Sequence, residues 1–221
     1  MEWPALWLTL RLAGISALLL LLLGTPLAWW LARTRFRFKS AVEAVVALPL
    51  VLPPTVLGFY LLLLLAPDGV IGRLWHSLGG DPLVFSFNGL VIGSVVYSLP
   101  FAVQPLQAAF AGLSRGCLEA AATLRAAPLD RFLSIAMPLA RPGFLTAGVL
   151  GFAHTLGEFG VVLMIGGNIP GRTRVISIAV YDQVETLQYR QAHALSAAVL
   201  VISFVLLLAV YTVNRRYRHA A

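Results

Sequence analysis

An all-α polytopic membrane protein with five transmembrane helices is the fold class this sequence predicts, on three observations. Of 221 residues, 59% are hydrophobic and only 11% charged, whereas a soluble domain carries about 25% charged residues; the mean hydropathy is +0.87. Apolar runs of roughly twenty residues recur along the chain, the length a helix needs to cross a bilayer. The segments between those runs alternate between strongly basic and nearly neutral. The net charge of +7 does not point to nucleic acid, because most basic residues stand at span ends, where membrane topology accounts for them.

The first span, about Leu6 to Leu31, follows Glu2 and carries Pro26. It has no basic leader and no small-residue cleavage signature, so it is read as a retained span, interrupted at the proline. The second, about Val42 to Ala66, contains Pro49, Pro53 and Pro54, and the third, about Phe85 to Phe110, contains Pro100 and Pro105. The fourth runs about Phe144 to Ile165 and the fifth about Leu195 to Val213. Proline and glycine inside a span break the i to i−4 ladder, and the freed groups need neighbouring helices or a polar cavity. That argues for a packed bundle with a pathway, not an anchor. No linker, repeat or low-complexity tract divides residues 1–221, which read as a single domain.

Charge sets the orientation. Arg33, Arg35, Arg37 and Lys39 fill the first connecting segment, Arg115, Arg125, Arg131 and Arg141 the third, and Arg215, Arg216 and Arg218 the tail. The second segment has only Arg73, with Asp68 and Asp81; the fourth has Arg172, Arg174 and Arg190, with Asp182 and Glu185. Eleven basic residues therefore lie on one side and four on the other, which puts the N-terminus outside and the C-terminus in the cytoplasm. Trp3, Trp7, Trp29, Trp30 and Tyr217 stand near span ends, as interfacial aromatics do. Arg11, near the outer end of span 1, snorkels.

The cytoplasmic loop, about 114–143, reads like the surface of a soluble protein. Pro128 divides it into two short helices meeting near Ala127. Such an element either lies on lipid or forms a knob, ending at Pro138 and Pro142, that fits a groove on a soluble partner.

Glu119-Ala120-Ala121, then three residues, Arg125, nine residues, Ile135, one residue and Met137-Pro138 resemble the signature loop of the membrane subunits of bacterial ABC importers. The resemblance implies the type I ABC importer permease fold, with this loop forming coupling helices that seat in a cleft of an ATPase subunit. Glu119, Ala120 and Ala121 would form the docking face, with Arg125, Ile135 and Pro138 completing it. Two positions depart from the pattern: Met137 replaces leucine, which is mild, and Arg125 stands at the usual glycine, where a tight turn or close approach is expected. Gly157-Glu158-Phe159-Gly160, Met164 and Gly167-Asn168-Ile169-Pro170-Gly171-Arg172-Thr173, together with Leu50 through Gly58, are similar to the molybdate permeases within that family. Sulfate permeases share the glutamate-phenylalanine-glycine element but not the asparagine-to-threonine stretch. Tungstate, a tetrahedral dianion of nearly the same size, is not separable from molybdate.

Glu158 is the one acidic residue well inside span 4, and His154 lies four residues earlier on the same expected helical face. An intramembrane carboxylate pairs, faces a cavity or stays protonated, so Glu158 either holds span 4 against a neighbour or acts at a gate. Asn168, Pro170, Arg172 and Thr173 would turn the chain back toward the pathway. Arg172 and Arg174 would make the outer mouth attractive to an oxyanion, or would be ordinary external charge meeting acidic residues of a partner.

No carboxylate pair, nucleophile–base pair or metal-ligand cluster has catalytic spacing; His76, His154, His193 and His219 are scattered and Cys117 is the sole cysteine. No phosphate-binding GxxxxGK[ST] loop occurs, so no cofactor is expected and ATP hydrolysis falls to another subunit. The resemblance implies a homodimer in the cytoplasmic membrane, an ABC ATPase dimer below and an extracytoplasmic molybdate-binding protein above, working by alternating access. A proton-coupled carrier using His154 and Glu158, a non-transporting scaffold and a sulfate importer are the competing readings.

Overall fold

The computed structural model describes residues 2–219, except for the side chains of Arg115, Val210 and residues 213–219. The basic tail expected at Arg215, Arg216 and Arg218, with Tyr217, therefore lies outside the described side chains. Helix α1 (Trp3–Arg33) runs unbroken for 31 residues with Pro26 inside it, so the interruption expected there does not occur. The Thr25 hydroxyl bonds the Leu21 carbonyl, and dense packing against neighbours compensates the bond the proline forfeits.

The second span is broken instead. Helix α2 (Lys39–Ala47) leads into a 3-10 turn (Leu48–Leu50), the chain extends at Pro53, and α3 (Pro54–Leu65) restarts with proline at its first position. There the missing N–H costs nothing. Helix α4 (Val70–Ser77) follows, so this span's helical material reaches well beyond Ala66. Helix α5 (Phe87–Ala111) contains Pro100 and Pro105 without a break and starts on Ser86, whose hydroxyl accepts the Gly89 N–H at 3.2 Å.

In the loop, α6 (Arg115–Thr123) is followed by α7 (Pro128–Arg131), a π-helical stretch (Phe132–Ala136) and α8 (Met137–Leu139). Two helical segments flanking Ala127 were expected, and they form. Pro142 does not end this knob; it lies in the first turn of α9 (Arg141–Leu156), which starts before Phe144. The loop helices and α9 are bent by 73°. Span 4 is then interrupted at residues 157–159 before α10 (Gly160–Gly166). Helix α11 (Ile176–Glu185) packs against α12 (Tyr189–His219), which is longer than the expected span 5.

Among the described residues four helical segments are long and apolar enough to cross a membrane, Trp3–Arg33, Pro54–Ser77, Phe87–Ala111 and Tyr189–Ala209. The number is five when the pair Pro128–Leu139 and Arg141–Leu156 is counted as one bent span, and α9 is the part of it packed in the bundle. Helices α1, α5 and α9 form the central packing unit, while α10 contacts both α3 and α5. Leu20, Leu31, Leu106 and Phe110 fill one core and Leu12, Leu90, Val162 and Ile178 another. The α12 residues Leu200, Val201, Phe204 and Tyr211 are exposed, the pattern of a helix whose surroundings are lipid. Arg11 lies over the Phe87 ring, 4.7 Å from its centroid.

Two backbone details carry consequences. A Cβ on Gly58 would stand 2.8 Å from Met164 Cβ and 3.1 Å from Val161 Cα, so α3 meets α10 almost backbone to backbone. Arg125, where the resemblance led to an expectation of glycine, takes the left-handed conformation that favours glycine, with φ 61°. Its N–H reaches the Ala122 carbonyl and the Ala126 N–H the Ala121 carbonyl, a Schellman closure of α6.

Gly58→Val is expected to lower the thermal unfolding midpoint of the detergent-purified protein, at an overpacking cost of about 1–3 kcal/mol. Gly14→Ala, with nothing within 4 Å of its added methyl, is expected to leave it unchanged or raise it. Arg125→Gly removes a left-handed residue penalty of about 1 kcal/mol, so hydrogen exchange at the Ala126 amide should slow severalfold, and Arg125→Val should speed it.

Candidate functional site: a cavity where two broken spans meet

The interruptions of spans 2 and 4 abut. A Cβ on Gly160 would stand 2.8 Å from Pro54 Cβ, and that contact brings the start of α3 against the start of α10. Beside it opens a cavity of about 500 Å³ bordered by Pro54, Thr55, Tyr97, His154, Glu158 and Phe159 among others. Glycine and proline place it there: α9 stops at Leu156, and Glu158 and Phe159 cross the gap in non-helical backbone before Gly160 restarts the helix.

Glu158 thus stands at the break and not on the face of a continuous helix. It is 3% exposed, and the Ser94 hydroxyl lies beside its carboxylate. Yet neither Glu158 oxygen, nor Ser94 Oγ, has a hydrogen-bond partner of full geometry among the described residues. Only the backbone of Glu158 is anchored, through Ser177 Oγ, which donates to its carbonyl at 2.5 Å. The alignment expected with His154 fails because the helix ends between them. His154 Nδ1 instead lies 2.8 Å from Ser98 Oγ, itself 3.1 Å from Thr155 Oγ1, and its ring stacks on Phe101 at 4.0 Å. No hydrogen-bonded chain joins His154 to Glu158 among the described residues, so the geometry does not support the proton relay.

The asparagine-to-threonine stretch does a different job from turning toward the cavity. Gly167 and Gly171 take φ of 64° and 72°, conformations that favour glycine. Between them and beyond, Thr173 is fully buried and donates to the Gly166 carbonyl at 2.6 Å while accepting the Ile169 N–H at 3.3 Å. Asn168 donates to Asp182 at 3.2 Å and accepts from Arg174 Nε at 2.6 Å. Arg174 also pairs with Glu2 at 3.8 Å and Asp182 at 3.6 Å, so it is committed to acidic residues of its own chain. The loop latches the end of α10 to α11 and to the N-terminal segment. Pro170 and Arg172 are exposed on it. Of Glu158, Asn168, Pro170, Arg172 and Thr173, only Glu158 borders the cavity.

At the other end of the bundle, Glu119 and Ala120 are exposed on α6, whereas Ala121 is 9% exposed and turns inward with Leu118. Ile135 and Pro138 are half-buried. The residue the sequence reading missed is Phe132. Its ring stands 5.1 Å from Trp29 on α1 and 6.0 Å from Phe110 on α5, and Phe110 meets Phe144 on α9 at 5.8 Å. The loop is therefore keyed to three spans through one aromatic box. Ser94, Tyr97 and Ser98 were missed too, although their i, i+3, i+4 spacing in span 3 marks one polar face.

Comparison with known proteins agrees with this architecture. The family profile described as binding-protein-dependent transport system inner membrane component matches residues 24–219. The molybdenum transport system permease protein ModB of Azotobacter vinelandii is 58% identical over 98% of this chain and 96% of its own. A probable sulfate transport system permease of Prototheca wickerhamii is 31% identical over 95% and 82%. Among solved structures, a bacterial ABC transporter involved in alginate import superposes with a TM-score of 0.77 at 20% identity, covering 96% of this chain and 78% of that one. With the fold, the interrupted spans and the signature loop in agreement, the chain belongs to the inner membrane components of binding-protein-dependent transport systems, transport subunits that carry no catalytic chemistry of their own.

Proposed function

We propose that this chain is the membrane-spanning subunit of an ATP-driven importer that carries molybdate, and tungstate with it, inward across the cytoplasmic membrane by alternating access. The observation that carries the transport reading is the cavity where two broken spans meet. Irregular backbone at membrane depth is tolerated where it lines a route or is buried in protein. The substrate rests on the near full-length likeness to the Azotobacter vinelandii molybdenum permease. In this reading residues 1–221 form one domain, with the N-terminus outside and the C-terminus in the cytoplasm. Two copies pair so that their cavities face a common axis, since one set of spans is too small to enclose a guarded path.

The exposed Glu119 and Ala120, with the Arg125 turn, Ile135 and Pro138, dock the ATPase dimer, while an extracytoplasmic molybdate-binding protein engages the latched outer loop, with Arg172 and Pro170 at its tip. Closure of the ATPase dimer moves α6 to α8, and Phe132, held between Trp29 and Phe110, passes that movement to α1 and α5. Glu158 acts at the gate. Buried and without a hydrogen-bond partner among the described residues, its side chain closes the place where the two breaks meet, a barrier that opens only when the spans separate. The sulfate permease relative supports sulfate as the rival substrate.

Vesicles holding the chain with its ATPase and binding protein, and ATP inside, are expected to take up labelled molybdate against excess sulfate. Sulfate abolishing uptake would move the substrate; uptake without ATP would sink the mechanism. Glu119→Arg should cut uptake roughly tenfold or more, because a misplaced charge at a buried interface costs several kcal/mol. Glu158→Ala should raise ATP-independent leak of molybdate while the complex still assembles, and unchanged leak would return Glu158 to a packing role.

A further inference from the structure

A second polar cavity, of about 450 Å³, opens at the end of the bundle opposite the signature loop, between the N-terminal segment, α11 and the start of α12. It is bordered by Glu2, Gln183, Arg190 and Gln191, with Ala194 and Leu195 below. Its floor continues into an apolar trough of about 160 Å³ that shares Glu2, Ala194 and Leu195 and runs on along Trp3, Leu6 and Ala198. Ala198 lies eight residues past Arg190, about 12 Å further along the helix. The two spaces form one groove with a polar head and an apolar body, continuous with the exposed rings of Trp3 and Trp7, which mark the membrane interface.

The polar head is incomplete as the chain alone builds it. Gln183 is more than nine-tenths buried, and its Oε1 has no hydrogen-bond donor among the described residues. Beside it stand the Glu2 carboxylate, which also pairs with Arg174 at 3.8 Å, and the Arg190 guanidinium. Buried carbonyl oxygens without donors are rare and cost about 1–3 kcal/mol, so a turn of the Gln183 side chain that brings Oε1 to the cavity wall gains a donor from outside the chain. We propose that the groove binds one membrane phospholipid whose headgroup carries a primary ammonium. The ammonium donates to Gln183 Oε1 and faces Glu2, the phosphate pairs with Arg190 at the start of α12, where helix N–H groups also favour an anion, and an acyl chain fills the trough. A soluble protein partner would satisfy the polar head but leave the trough, which opens along the spans, without an occupant. The assignment depends on the chain spanning a membrane and not on which oxyanion it carries.

The test is retention of lipid by the full-length chain, in the complex it purifies with, after exchange into detergent with equimolar phosphatidylethanolamine, phosphatidylcholine and phosphatidylglycerol, read by native mass spectrometry. The expected result is one phosphatidylethanolamine held per chain in preference to both competitors. Phosphatidylcholine has no N–H to donate, and phosphatidylglycerol has no cation for Glu2. Gln183→Leu and Arg190→Gln should each weaken retention roughly tenfold, the worth of one hydrogen bond to a charged group. Arg73→Gln, outside the groove, should leave it unchanged, and an unaltered thermal midpoint in each variant excludes misfolding as the cause. Equal retention of the three lipids, preference for phosphatidylglycerol, or retention unaffected by both groove substitutions would overturn the proposal. So would saturation by the binding protein that expels no lipid and abolishes groove accessibility in lipid-free chain.

Discussion

The contact on which the arrangement depends is the near-absence of side chain between α3 and α10. Gly58 against Met164 and Gly160 against Pro54 let two interrupted spans touch at backbone distance. Any larger residue at either position would push the breaks apart. Once they touch, the peptide groups freed by the interruptions find partners close by. Ser177 caps the Glu158 carbonyl, and at the far end of α10 the Phe85 N–H reaches the Ile165 carbonyl at 2.9 Å. The cavity exists because the breaks are held side by side, and its buried carboxylate stands beside a Ser94 hydroxyl that, like it, has no hydrogen-bond partner among the described residues.

The two ends of the bundle are built by different physics. The latch at Asn168 to Arg174 is polar, a set of directional bonds that fixes one geometry and resists sliding. The signature-loop end is joined by rings in edge-on contact, Trp29, Phe110, Phe132 and Phe144. Such contacts retain most of their energy through small rotations. A rigid loop at one end and a yielding joint at the other suit a molecule that must tilt its spans about one end while the other keeps its shape.

Much of this was legible in the sequence, and the failures have a common cause. Span number, the basic–neutral alternation and the helix start at Pro128 follow from composition and local chemistry, and they needed no tertiary information. Prolines were harder. Pro53 and Pro54 break a span and Pro26, Pro100 and Pro105 do not, although each removes a backbone donor. The outcome depends on whether neighbouring helices support the chain, as Thr25 and the dense core around α1 do for Pro26. Glu158 was identified as the residue to watch, but its pairing with His154 assumed a helix that ends two residues earlier. Arg125 shows the opposite case: a left-handed turn that favours glycine forms without one, because the Schellman bonds and the start of α7 hold it. Phe132 carried no signal, since one phenylalanine in an apolar stretch looks like any other until its two ring partners, Trp29 and Phe110, are known.

The Thr9 hydroxyl accepts the Ile176 N–H at 2.8 Å, across 167 residues of chain, while donating to its own helix at Ala5. During synthesis at about 5–20 residues per second, Thr9 enters the membrane about 10 to 30 s before its partner exists. For that interval a buried hydroxyl on the first span is half-satisfied and the first turn of α11 has not been made. The end of the bundle that carries the Asn168 to Arg174 latch therefore closes late, and a nascent chain cannot complete it until nearly four-fifths of the sequence has been made.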